Sequence, residues 1–104
     1  MLVFADIHVN AKGMSIDELW DIWEEEAKAT LEAMEAGKIV SAYKICGQQR
    51  VVMILDMESH DELDQVLMAG LPMVNYLEIK EIAPVREYEA FASDVMQRWQ
   101  QQTA

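Results

Sequence analysis

Only three residues, Gly47-Gln48-Gln49, separate two runs that both read as strand, IVSAYKIC at 39–46 and RVVMILDM at 50–57. A connection that short joins antiparallel neighbours and leaves no room for a crossover. The remaining segments must be arranged around that pair. Residues 2–10, LVFADIHVN, form a further strand-like run, closed by the turn signal Lys12-Gly13. Its alternation puts Val3, Ala5, Ile7 and Val9 on one face and Leu2, Phe4, Asp6, His8 and Asn10 on the other.

Two helices are marked by their caps. Ser15-Ile16-Asp17-Glu18 is a capping box, with Met14 and Leu19 spaced as a hydrophobic staple. Behind it Ile16, Trp20, Trp23, Ala27, Leu31 and Met34 recur at helical spacing as a core-facing stripe, and Gly37 stops the helix. Ser59 and Glu62 form a second box, and Leu63, Val66 and Leu67 supply that helix's apolar face. Gly70 is expected to end it in the left-handed conformation, with Pro72 setting the exit. Residues 75–82 return as a strand that Pro84 closes.

The order is β-α-β-β-α-β, an α+β ferredoxin-like unit: a four-stranded antiparallel sheet with two helices on one face. Residues 1–85 make up that domain, and 86–104 a helical extension. The extra helix, about Arg86 to Trp99, has Tyr88, Phe91, Ala92, Val95 and Trp99 along one side. It is expected to cover a sheet edge or a neighbouring subunit. Both parities of the strand carrying Met53 and Leu55 are largely apolar, which reads as burial on both faces and predicts at least a homodimer.

Composition narrows the function. Nineteen acids against eight bases give a net charge of −11. Nucleic acid and anionic membrane surfaces are thereby disfavoured, since either needs a basic stripe. A single cysteine, Cys46, rules out an internal disulfide and is read as a buried structural thiol. The start shows no basic, then apolar, leader and no long apolar run follows, so a cytoplasmic location is expected. The chain is 52% hydrophobic, with eight Met and three Trp, rich enough to imply apolar surface hidden around a ligand or a partner.

Residues 1–85 resemble the muconolactone isomerase family. The resemblance rests on MLVF opening a strand, Gly37-Lys38 ending the long helix and Ile45-Cys46-Gly47-Gln48 at the hairpin. It continues through Asp56-Met57-Glu58-Ser59-His60-Asp61-Glu62-Leu63, Gly70-Leu71-Pro72-Met73 and Tyr76-Leu77-Glu78-Ile79. It implies a dimeric α+β barrel, often built into larger rings, and a cofactor-free enzyme that shifts a double bond in a carboxylated lactone by moving a proton. Where the family carries Arg-His-x-Trp-Arg on the second strand, this chain has Val40, Ser41, Ala42, Tyr43 and Lys44. The family's basic residue on the first strand falls at Asp6. A carboxylate pocket needs cations, so a less anionic lactone, enone or polyketide-like substrate is expected.

Such a reaction needs a base for a proton alpha to a carbonyl and a donor for the enolate. Asp6 and His8 share a strand face and are the expected base and partner, with Tyr43 as donor. Trp20, Trp23 and Met53 are the expected substrate contacts. Glu24-Glu25-Glu26 read as a solvated face from which one carboxylate can turn inward, and His60 as an exposed residue. No cofactor or metal is expected. The function is thus read as a cofactor-independent isomerase or cyclase. The alternatives are a non-catalytic small-molecule binding or assembly protein of the same fold, or a cofactor-free oxygenase. The pocket is expected between the sheet and the first helix or at a subunit contact.

Overall fold

The computed structural model describes residues 1–103, with side-chain surroundings described through Arg98. The elements run β1 (Leu2–Val9), α1 (Ile16–Glu35), β2 (Ile39–Lys44), β3 (Arg50–Asp56), α2 (His60–Ala69), a 3₁₀ turn (Val74–Tyr76), β4 (Leu77–Val85) and α3 (Tyr88–Thr103). The strands form one antiparallel sheet in the order β2-β3-β1-β4. This is the α+β architecture and hairpin expected from the short 47–49 connection.

Register fixes which side chains share a face. Ala42, Met53, Ala5 and Ile82 lie in one row across the sheet, and Tyr43, Val52, Asp6 and Glu81 in the next. Because successive rows alternate, the first belongs to the helix-covered face and the second to the opposite face. On the covered face Val3, Ala5, Ile7, Met53 and Leu55 are buried with Met57 and Leu67 as the core. The opposite face carries Leu2, Phe4, Val52 and Ile54, all half-exposed. Within one chain β3 is therefore buried on one face only.

Both predicted N-caps form: Ser15 Oγ accepts from the Glu18 amide at 3.2 Å and Ser59 Oγ from the Glu62 amide at 3.1 Å. The Glu62 carboxylate is drawn instead to Lys38 Nζ, 3.1 Å away. This ion pair ties α2 to the start of β2. Glu24 also pairs with Lys28 as its spacing implied, at 3.8 Å.

Several expectations need correction. Residues 74–76 form a 3₁₀ turn, so the last strand starts at Leu77 and runs through Pro84 to Val85. β4 is an edge strand, where a proline's missing donor is tolerated. Gly70 ends α2 with φ −87°, not left-handed. A side chain there would bring a Cβ to 3.0 Å from Val66 Cα, so close approach is what favours glycine. Gly37, with φ +80°, does have the left-handed backbone. Cys46 is exposed in the hairpin loop, not buried.

The stripe on α1 is also displaced. Ile16, Trp20, Leu31 and Met34 are exposed, and no residue of α1 is fully buried. The half-covered positions are Leu19, Ile22, Trp23, Glu26, Ala29, Thr30 and Ala33. The apolar stripe lies along the helix flank, and α1 stands off the sheet. The space it leaves is the candidate site.

Candidate functional site

A pocket of about 290 Å³ opens between α1 and the covered face of the sheet. Its floor is Ile7 and Val9 of β1 with Val51 and Met53 of β3. Its wall is Trp23, Glu26, Ala27, Thr30 and Leu31 of α1, closed at one end by Met73 and Leu77. A second recess, shared at Trp23, Lys44 and Val51, continues outward past Ile16, Leu19, Trp20 and Gln48. Trp23 thus stands between an inner apolar chamber and an outer groove.

Glu26 is the exceptional group in this lining. It is half-buried, and its Oε2 accepts the Met73 amide at 3.1 Å. Burial pushes its carboxyl above the ordinary value of 4.5, and the Met73 hydrogen bond only partly offsets this. No cation pairs with it among the described residues. A half-buried carboxyl in an apolar chamber, without a counter-ion, is suited to exchanging protons with a weakly acidic C–H. Thr30 lies one helical turn further along the same wall, and Lys44 is at the rim.

The structure divides the residues expected to converge here. Trp23 and Met53 line the pocket, and Trp20 lines the outer groove. Tyr43 reaches the rim, but it is 66% exposed and its row belongs to the opposite face. Asp6 and His8 lie on that opposite face too. There Arg50 holds the Asp6 carboxylate with two hydrogen bonds of 2.9 Å. His8 Nε2 approaches Asp6 Oδ1 at 3.5 Å. The Arg50 hydrogen bond, against an opposing burial effect, holds the Asp6 carboxyl below its ordinary 3.8. Such a carboxylate is a weak base already engaged by a cation.

Glu26 left a faint trace in the sequence. The row Leu19, Ile22, Trp23, Glu26, Ala29, Thr30, Ala33 follows helical spacing and contains one carboxylate among largely apolar neighbours. The denser Trp20-Trp23-Leu31 stripe masked it. Among the described residues, no group of three or more His, Cys, Asp or Glu is arranged to hold a metal ion, and no helix is long and apolar enough to cross a membrane.

Residues 1–90 match the family model described as muconolactone delta-isomerase. The chain is 30% identical over 89 residues to a muconolactone delta-isomerase of Acinetobacter baylyi, covering 86% of this chain and 91% of that protein. Among solved structures, a muconolactone isomerase superposes with TM-score 0.73 at 20% identity, over 84% of this chain and 90% of the other. A 5-chloro-2-hydroxyhydroquinone dehydrochlorinase from Burkholderia phenoliruptrix, in complex with 2,5-dihydroxybenzoquinone, superposes with TM-score 0.63 at 17% identity, over 84% and 95%.

Proposed function

Starting from the fact that the chain belongs to the muconolactone delta-isomerase family, we propose that it catalyses cofactor-independent proton transfer on a small carbonyl compound, with Glu26 as the proton carrier. The observation that carries this reading is the half-buried, cation-free Glu26 carboxyl in the apolar chamber. As carboxylate, Glu26 removes a proton alpha to the substrate carbonyl. It then returns that proton to the far end of the conjugated system, and the double bond moves. The enolate formed in between needs a donor or a positive charge, and Thr30 and Lys44, with the exposed Tyr43 at the rim, are lining groups able to supply them.

The lining sets the substrate class. Ile7, Val9, Met53, Met73 and Leu77 favour a compact, mostly apolar body. Among the described residues Lys44 is the one cationic side chain that lines the pocket, so a single anionic or strongly polar substituent fits at the rim. A lactone, enone or polyketide-like ring with at most one carboxylate meets both conditions. The likeness to the dehydrochlorinase bound to a quinone agrees with a flat oxygenated ring in this fold.

The test follows solvent deuterium into a panel of lactones and enones. The parent protein should catalyse exchange, and Glu26→Gln should lower the rate by ~10²–10⁴-fold, the usual loss for a positioned acid–base group. Full exchange in Glu26→Gln would assign the proton to another residue. If the parent exchanges nothing but binds panel members, the protein is a small-molecule binder.

A further inference from the structure

The inner chamber and the outer groove are successive lengths of one trough. Along α1 the lining passes from Thr30 and Glu26 through Trp23 to Trp20 and Ile16, and along β3 from Met53 through Val51 to the turn residue Gln49. The two walls run together and share a waist at Trp23, Lys44 and Val51. Their lengths agree. From Glu26 back to Ile16 the helix covers about 15 Å at ~1.5 Å per residue, and from Met53 to Gln49 the strand covers about 13 Å at ~3.3 Å per residue. The groove beyond the waist has a volume of about 550 Å³, against about 290 Å³ for the chamber inside it. A ring that fills the chamber therefore leaves the larger part of the trough empty.

The outer length is apolar along the helix and uncharged where it ends. Ile16 and Trp20 stand on its wall yet are 70% and 65% exposed, an apolar surface that gains from cover. The hairpin turn Gly47-Gln48-Gln49 closes the far end with two neutral amides. Asp17, Asp21 and Glu24 interleave with the apolar positions of α1, so the groove is edged with negative charge. A second copy brings a net charge of −11 and the same acids, and meets repulsion here. An anionic group is likewise turned away beyond Lys44. A neutral apolar body is what this surface accepts.

Resting on the proton-transfer reading above, we propose that the outer groove is a substituent subsite: the substrate is a carbonyl ring that carries a neutral apolar arm, with the ring beside Glu26 and the arm lying past Trp23 against Trp20 and Ile16. Met73 and Leu77 close the other end of the chamber, so a substituent on a ring seated at Glu26 leaves through the waist. Trp20 and Trp23 are three residues apart on α1 and so are neighbours on its surface, which makes a continuous apolar track from the waist outward. The arm lies away from the reacting atoms. Its contacts are the same in ground and transition states, so it lowers KM and leaves kcat little changed. Selectivity between short and long substrates is thereby set at Trp20 and Ile16, apart from the proton carrier.

The experiment measures binding of three saturated γ-lactones, bearing methyl, butyl or octyl on the ring, to the full-length chain by calorimetry. These rings have no double bond to shift, so binding is read apart from the reaction. Affinity for the parent should rise roughly two- to fourfold per added methylene, the gain from burying apolar surface. Trp20→Ala should cut the octyl lactone's affinity roughly tenfold or more by removing the track. Ile16→Glu should also weaken the octyl lactone, yet leave the methyl lactone within about twofold of the parent, since the chamber is distant from it. Both positions are exposed, so neither change threatens the fold. Equal affinities for methyl and octyl, an octyl gain that survives both substitutions, or no binding by any of the three would overturn the proposal. So would a flat series together with a Trp20→Ala protein of lower mass in sedimentation, which would give the groove to a second copy. A parent that shows the full gain but exchanges no deuterium with unsaturated lactones would refute the reaction and uphold the subsite.

Discussion

Arg50 grips Asp6 across the β1–β3 pair, Nε to Oδ1 and Nη2 to Oδ2, both at 2.9 Å. The two residues sit on neighbouring strands, offset by two positions in register because Asp6 faces Val52 while Arg50 faces His8. The long guanidinium side chain therefore reaches diagonally along the sheet to a carboxylate that is itself nearly buried. The pair lies on the sheet face opposite the pocket that Glu26 lines, and on the proposed reading it acts as a clamp between β1 and β3.

Asp6→Ala should therefore lower the melting temperature by several degrees, because it strands the Arg50 guanidinium. Exchange activity per folded molecule should remain within a few-fold of the parent, since no pocket group is touched. Calorimetry beside the deuterium assay checks both halves. A drop in turnover comparable to that of Glu26→Gln, with melting unchanged, would bring Asp6 into the mechanism.

Changing pH acts in opposite directions on the depressed and the raised carboxyls. Asp6 and Glu78 both have depressed folded values, Asp6 through Arg50 first and Glu78 through Asn10 first and then Lys80. Their stabilisation is complete above their ordinary values of 3.8 and 4.5 and is lost as pH falls through the lower folded values. Glu26 is raised, so the folded state holds a proton that the unfolded chain has released. Stability then increases as pH falls through its folded value, and that gain is complete below 4.5. Melting measured against pH should show the gain above 4.5 in the parent and lose it in Glu26→Gln. The acid limb of kcat/KM should lie above 4.5 for the same reason.

The fold was legible because its signals are local. The 47–49 connection, the Ser15 and Ser59 caps and the alternation of Val3, Ala5, Ile7 and Val9 each depend on neighbours a few residues away. The site was less so, because it depends on how α1 is rotated and how far it stands from the sheet. Periodicity counted Trp20 and Leu31 as core without knowing that the helix flank is left open. Locally Glu26 differs from Glu24 and Glu25 just by falling on the row of Leu19, Ile22, Trp23 and Thr30, a trace that the Trp20-Trp23-Leu31 stripe outweighs. The Met73 amide, 47 residues away, is what singles it out. The Asp6–His8 pairing in sequence was real as proximity, but its face was decided by the helices covering the other side.

Two glycines test opposite causes of the same requirement. Gly37 has φ +80° with open space around it, and Gly70 has an ordinary φ with Val66 Cα 3.0 Å from where a Cβ would sit. Gly37→Ala should cost about 1–2 kcal/mol through backbone strain alone. Gly37→Asn should recover part of that, because asparagine tolerates the left-handed region. Gly70→Ala should be destabilising by about 1–3 kcal/mol through crowding, with no recovery from asparagine. Urea unfolding of the four variants separates the two causes; equal behaviour at both positions would remove the distinction.

Thr30 and Lys44 divide the remaining question of what stabilises the enolate. Thr30 lies one turn beyond Glu26, on the apolar wall of the pocket, whereas Lys44 stands at the rim between the two recesses. If the hydroxyl meets the developing oxyanion, Thr30→Val keeps the shape of the wall and removes the donor. It should lower kcat by ~10²-fold or more with KM little changed, the pattern of an interaction made in the transition state. Lys44→Met should instead raise KM for substrates bearing a carboxylate and leave neutral ones unaffected, the pattern of uniform binding. Steady-state kinetics on a matched acid and methyl ester decide between them. A kcat loss in Lys44→Met on the ester would move the lysine from the rim to the reacting carbonyl.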